Sequence, residues 1–521
     1  MLSILSLMHH GAFLVLMTVT PSLDTVYVDQ ANPNCAGADG TQAKPFCTIQ
    51  EGIQAALDGD TVAVASGTYV ESVNFSGKNI TVLSTSGAAS TVIDGGGAST
   101  VVTIANGEGP SAILDGFTVT NGDSGGFGGG GVFIAASSPT ISNNRIIGNT
   151  GYAGAGVYFI ESSAPTISNN TISGNSSLFG GGIFGYGNDT QPAYVLNNTI
   201  SENFAYYGSA IASFGSVSLI FNNTITANQY GGAILTYIGS LTYLANNTVA
   251  DNVASELIGF SSPVNILAGG TAILINETIT RNGSSPAYAA ISVVSSSALV
   301  YSTIAWGNSV EGITNGGSSV GVYYSNIGGG VYPGPGNIDA DPQFLDPAAG
   351  DFRLGCQSPC IDAGFLGAFS AQDFEGDDRQ VDGDSDDTVT VDMGADEFDM
   401  LWQFQLSGTT FQFNAQAPPI ENGNTALVFI SLGNGSTGGI LIPGTGGLKL
   451  PLDNDPLFAA WLGQSSILTT VTLTSCPGAS TVTANIPLGA PPGFQGYYAG
   501  LSFDGGLQVI SITPAKIFTL P

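Results

Sequence analysis

From residue 139 to residue 308, apolar and polar positions alternate in short bursts, each closed by Asn or Gly, and the bursts recur as copies of one phrase: PTISNNRIIGN, PTISNNTISGN, YVLNNTISEN, LIFNNTITAN, YLANNTVADN and ILINETITRN. The second polar residue of the phrase falls at Asn144, Asn170, Asn198, Asn223, Asn247 and Glu277, in steps of 26, 28, 25, 24 and 30 by subtraction, and Thr303 in VYSTIAWGN extends the series. Another Asn follows five places later in every copy, at Asn149, Asn175, Asn203, Asn228, Asn252, Asn282 and Asn308. Between the two lies a β-branched position, Ile146, Ile172, Ile200, Ile225, Val249, Ile279 and Ile304, whose neighbours alternate in polarity as a strand requires.

Fixed strand phrases separated by loops of variable length predict one turn of a coil per repeat, each strand pairing in parallel with its copy ~4.8 Å away in the next turn. The β-branched positions then stack into an interior column. The Asn positions suit a left-handed turn residue whose amide links to the copies above and below, a structural ladder through Asn144, Asn170, Asn198, Asn223 and Asn247. A second set of phrases, GGGGVFI, GAGVYFI, GGGIFGY, GSAIASF and GGAILTY, supplies another face, its glycines permitting a tight bend. A leucine-rich repeat lacks its Leu framework here, a propeller needs four strands per period, and collagen needs Gly at every third place. Triplets such as Asn169-Asn170-Thr171 also match a glycosylation acceptor, but the ladder explains their Asn without one.

On these phrases the chain resembles the pectin-lyase-like superfamily of right-handed parallel β-helices, in the broad group of repeat-bearing exported bacterial proteins. The segment TIQEGIQAALDGDTVAVASGTYVE, 48 to 71, is similar to that superfamily's N-terminal cap and first coil, where a short amphipathic helix plugs the open end. Ile49, Ile53, Ala56 and Leu57 give such a helix one apolar stripe, and Asp58-Gly59 ends it. The expected fold is all-β: a right-handed parallel β-helix with a helical cap over residues 24–345, then an acidic segment over 346–400 and a β-sandwich-like domain over 401–521. Strand-like stretches such as TALVFISL and TVTANIPL, set apart by Gly and Pro, carry the last expectation. SPCIDAG, DFEGDDR and VDMGADEF resemble a tail motif that follows many bacterial β-helix repeats and implies surface attachment.

Residues 1–23 read as an export signal, with an apolar run from Gly11 to Val19 ahead of Thr20-Pro21-Ser22 but no Lys or Arg before it. No later stretch is apolar over the length of a membrane span, and a secreted or cell-surface location is expected. Five cysteines fit an oxidising compartment: Cys35 and Cys47 bracket one loop, Cys356 and Cys360 stand four apart, and Cys476 is left over. The formal charge of -31, from 8 Lys+Arg against 39 Asp+Glu, would repel phosphate backbones and anionic membranes, so nucleic acid is excluded as a partner. A polysaccharide or cell-envelope component is the expected partner, with the chain acting as a monomer.

Of the 39 acidic residues, 17 fall between Asp339 and Asp399, a density that demands partners. Asp382, Asp384 and Asp386 alternate as hard oxygen ligands for a structural Ca²⁺ would, though without the remaining features of an EF-hand; a solvated acidic loop is the other reading. The enzymes of the resembled superfamily act on acidic polysaccharides through His, Arg or Lys beside carboxylates. Here His9 and His10 are the only histidines, both inside the export signal, and Lys78, Arg145 and Arg281 lie at widely separated turns. Glu161, Asp189, Glu202, Asp251 and Glu256 remain for a two-carboxylate glycosidase or lyase site, each of them equally readable as a solvated loop acid.

The aromatic pattern points elsewhere. Tyr152, Phe179, Tyr206, Tyr207 and Tyr230 lie between the second ladder Asn and the next glycines of successive turns, so the coil would stack them into one column, either a sugar-binding face or rings packed beneath the loops. The functional expectation is a non-catalytic glycan-binding, adhesion or structural protein; the alternative is a polysaccharide-active enzyme using coil-face carboxylates.

Overall fold

The computed structural model describes residues 25–398, apart from 127, 188–190, 256–261, 284–288, 356, 366, 368–371, 375 and 381–388, together with the backbone of strands between 402 and 519. Three parallel sheets wind around one core. The first has 12 strands, from Thr25–Val28 to Ser319–Tyr323; the second has 11, from Gly67–Val70 to Asn326–Ile327; the third has 10, from Val73–Asn74 to Ile313–Gly316. Each turn visits them in that order, as in Thr166–Ser168, Thr171–Ser173 and Ile183–Tyr186. A fourth small sheet, Ser176–Phe179, Phe204–Tyr207, Gln229–Tyr230 and Val253–Ala254, lies between the second and third.

Successive turns are in register. Ile146, Ile172, Ile200, Ile225, Val249 and Ile279 pair in sequence along the second sheet, all fully buried. A matching column, Ile141, Ile167, Val195, Ile220, Leu244, Leu274 and Val300, runs along the first. The register corrects one expectation: Ile279 pairs with Ala305, while Ile304 pairs with the outward Thr278. Ile304 is nevertheless buried, because residues beyond the coil cover it.

The Asn roles also divide. Asn143, Asn169, Asn197, Asn222 and Asn246 take the left-handed turn, with φ of 52° to 57° at these and at Asn276. The next residue, Asn144, Asn170, Asn198, Asn223 or Asn247, turns inward as the ladder rung. Asn198 Oδ1 accepts from both the backbone N (2.9 Å) and Nδ2 (3.0 Å) of Asn170, while its own Nδ2 donates to Ile167 O at 2.9 Å. A second ladder, Asn149 to Asn308, repeats the pattern at the next corner. Each rung satisfies backbone groups that the turn would otherwise bury unpaired.

The cap helix spans Ile49–Ala55, with Thr48 and Glu51 forming a reciprocal capping box. Ile49, Ile53 and Ala56 enter the core, but Leu57 is 72% exposed and lies past the helix end, outside the expected stripe. Glu71 accepts from the N–H groups of Ile49 and Gln50 at one end of the helix; at the other, Lys78 Nζ donates to the carbonyls of Ile53, Gln54 and Ala56, each at 2.7 Å. Cys35 and Cys47 form the expected disulfide beside this cap. Cys360 does not follow its expectation: it is a buried free thiol whose Sγ lies 3.2 Å from Asn326 Nδ2, while Cys356 and Cys476 lie outside the described residues.

The acidic segment is docked on the coil. Ala395 N donates to Thr278 Oγ1 (2.9 Å), Gly394 N to Ser302 O (2.7 Å), Phe365 N to Ser302 Oγ (2.8 Å), and Asn246 Nδ2 to Gln372 O (2.9 Å). Ile304, Leu354, Cys360, Ile361, Met393 and Phe398 form an apolar cluster between the two. The carboxylates of the segment find partners within it: Asp392 accepts from Asp362 N and Phe398 N, Asp396 from Leu354 N, and Asp373 from Gly376, Asp377 and Glu397 N–H groups. Buried Arg379 donates to the carbonyls of Gly394 and Ala395 and lies 3.5 Å from Glu397. Beyond it, strands between 402 and 519 form three-stranded, five-stranded and two-stranded antiparallel sheets.

Candidate glycan-binding face

Strand alternation decides where the aromatic residues go. Tyr206 and Tyr207 are consecutive in Phe204–Tyr207 and therefore point to opposite sides of the small fourth sheet. The expected single column is thus two clusters. On the inner side Tyr152 meets Phe179 (5.7 Å between ring centroids) and Phe179 stacks on Tyr207 at 5.0 Å. These rings rest on the outer face of the third sheet, where Tyr158, Phe184, Phe214 and Tyr237 continue the contact. On the other side Tyr206 packs on Tyr230 at 4.8 Å and on Phe204 at 5.8 Å.

Tyr230 reaches that second cluster through its backbone. Its register partner is Ala205, on the Tyr207 side of the strand, yet its φ of 93° redirects the ring toward Phe204, 5.1 Å away. The next residue must be Gly231, since a Cβ there would stand 2.3 Å from Tyr206 O. The two clusters leave rings open to solvent: Tyr152 is 43% exposed, Tyr206 40% and Tyr186 52%. Phe179, Tyr207 and Tyr230 are half-buried beneath them. The third-sheet rings were not anticipated from the sequence, although the phrases GVYFI, GIFGY and IASF that carry them were recognised as one face of the coil.

Charged groups near this ridge are few. Burial among the rings pushes the Tyr158 hydroxyl up, with Tyr186, Glu161 and Tyr152 as its electrostatic neighbours. Glu161 follows the third-sheet strand Val157–Ile160, whereas Glu202 follows the second-sheet strand Thr199–Ser201, so they occupy different corners of the coil and are not brought together. Asp251 shares the corner of Glu202 two turns on, where it pairs with Arg281 at 2.8 Å. Asp189, Glu256, Asp382, Asp384 and Asp386 lie outside the described residues; among the described residues no cluster of three or more His, Cys, Asp or Glu is placed to hold a metal ion. No helix among the described residues is long and apolar enough to cross a membrane.

One departure from ordinary ionisation lies in the ladder itself. Glu277 replaces Asn there, fully buried, and desolvation drives its carboxyl up to about 8 against the donors of Asn247 and the charge of Arg379. Among the described residues its Oε2 has no hydrogen-bond partner.

A search of curated proteins finds no match. Among solved structures the chain is similar to a pectate lyase, Pel9A, at 14% identity and a TM-score of 0.46, over 72% of this chain and 96% of that one. Residues 64–249 match the family described as "Right handed beta helix region". The coil of three parallel sheets is a right-handed parallel β-helix.

Proposed function

We propose that this is an exported β-helix protein that binds an uncharged polysaccharide along its aromatic ridge without cleaving it. The observation that carries the reading is the two aromatic clusters on either side of the fourth sheet, Tyr152 with Phe179 and Tyr207, and Tyr206 with Tyr230, which leave Tyr152 and Tyr206 each more than a third exposed. Tyrosine rings offer flat apolar area with a hydroxyl at the edge, the chemistry that stacks on sugar rings. The net charge of -31 disfavours a polyuronate. Two of the three coil cations already have partners, Lys78 on the cap-helix carbonyls and Arg281 on Asp251, and neither is free to serve as a proton-abstracting base. The Cys35–Cys47 disulfide suits an oxidising compartment.

The test is affinity electrophoresis of the mature protein through gels containing neutral or anionic polysaccharides, with and without Ca²⁺, alongside assays for new reducing or unsaturated ends. Retardation in a neutral polysaccharide, lost when Tyr152, Tyr206 and Tyr230 become Ala, is expected. Product formation would instead establish the polysaccharide-active enzyme.

A further inference from the structure

A second apolar face lies on a different flank, the outer side of the first sheet. Tyr194, Leu219, Tyr243, Ile273 and Leu299 pair in succession as one outward row. Tyr194 is 38% exposed and Leu299 39%. The six strands from Ala193–Leu196 to Ser319–Tyr323 contain no charged residue, in a chain of net charge -31. One edge of the face is already an interface: along the neighbouring row, in which Ala245 and Ile275 are buried, the acidic segment sets Phe365 against Tyr301 at 5.7 Å and accepts from Asn246 at Gln372 O. The Tyr194 row is left open beside it.

Size and charge select the occupant. Six strands ~4.8 Å apart and the uncovered part of their width give a patch ~24 Å long and ~13 Å wide, on the order of 300 Å². A stable dimer buries roughly 800 Å² per partner, so a second copy of this chain is too large a partner for the patch. A nucleic acid or acidic glycan would find no cation there. The face carries no charge, and its two tyrosines stand two turns, ~10 Å, apart. An extended β-linked polysaccharide is likewise uncharged, is apolar on its ring faces, and presents equivalent ring edges at every second sugar. We infer that the outer face of the first sheet binds the flat face of an uncharged, extended polysaccharide at a solid surface, a site separate from the aromatic ridge and independent of it.

The test is depletion of the full chain from solution by microcrystalline cellulose. The intact protein is expected to partition onto the solid, with about tenfold weaker partitioning for Tyr194→Ser/Tyr243→Ser and for Leu299→Lys, both melting like the parent. Tyr152→Ala/Tyr206→Ala, on the ridge, is expected to partition unchanged. The inference is overturned by absence of depletion, by equal depletion of the first-sheet variants, or by loss of depletion in the ridge variant alone. Sedimentation showing a dimer that Leu299→Lys dissociates would overturn it as well.

Discussion

Glu277 Oε1 accepts from both the backbone N (3.1 Å) and Nδ2 (2.8 Å) of Asn247, occupying the place that an Asn side chain fills in every earlier turn of the ladder. A carboxyl in this dry position is stable only when protonated. Burial raises it from 4.5 to about 8, so its favourable contribution is complete below pH 4.5 and is lost as pH climbs toward 8. Glu277→Asn restores the regular rung. It is expected to flatten the stability profile across that window and to raise the melting temperature most at pH 8; thermal melts at pH 5 and pH 8 check this, and an unchanged slope contradicts it.

The two Asn of each corner are expected to behave differently. Asn198→Ala leaves buried Asn170 and Ile167 groups without partners and should cost ~3–5 kcal/mol by chemical denaturation. Asn197 contributes its left-handed backbone, φ 55°, so Asn197→Gly should be nearly neutral and Asn197→Ala should cost only ~1–2 kcal/mol. Equal losses at the two positions would contradict the division of roles.

Lys78 closes the cap helix through three carbonyls. Lys78→Met keeps the aliphatic stem and removes the donors, which should destabilise the cap by ~1–3 kcal/mol and speed amide exchange over residues 49–56 more than in the central coil.

Arg379 is 1% exposed, among Glu397, Asp373, Asp392 and Asp396. Arg379→Met removes the only cation of that group and should cost ~3–5 kcal/mol of docking for the acidic segment. Limited proteolysis is expected to cut within 355–398 while the coil stays intact; protection equal to the parent's would contradict the role.

Most of the coil was legible because its information is local and repeated. The Ile146 to Ile279 column and both Asn series follow from period and alternation alone. Ile304 was misplaced because it sits one residue after Thr303, whereas the earlier apolar positions sit two residues after their rung; the structure puts Ala305 in the core. Nothing in the phrase revealed that an outward Ile would be covered by a segment distant in sequence. Asn246 with Gln372 and Thr278 with Ala395 are separated by 126 and 117 residues, contacts that no periodicity encodes. The aromatic ridge was half legible: its residues were found by position in the repeat, but their division into two clusters depends on strand alternation and on the φ of Tyr230.

The glycan-binding account is tested most directly by titration calorimetry of the intact protein with a soluble, uncharged oligosaccharide found by the gel assay, repeated on Tyr206→Ala/Tyr230→Ala. The account predicts a saturable isotherm for the parent and affinity lower by about tenfold or more in the variant, with both proteins melting alike. An isotherm unchanged by removal of the two rings would contradict it.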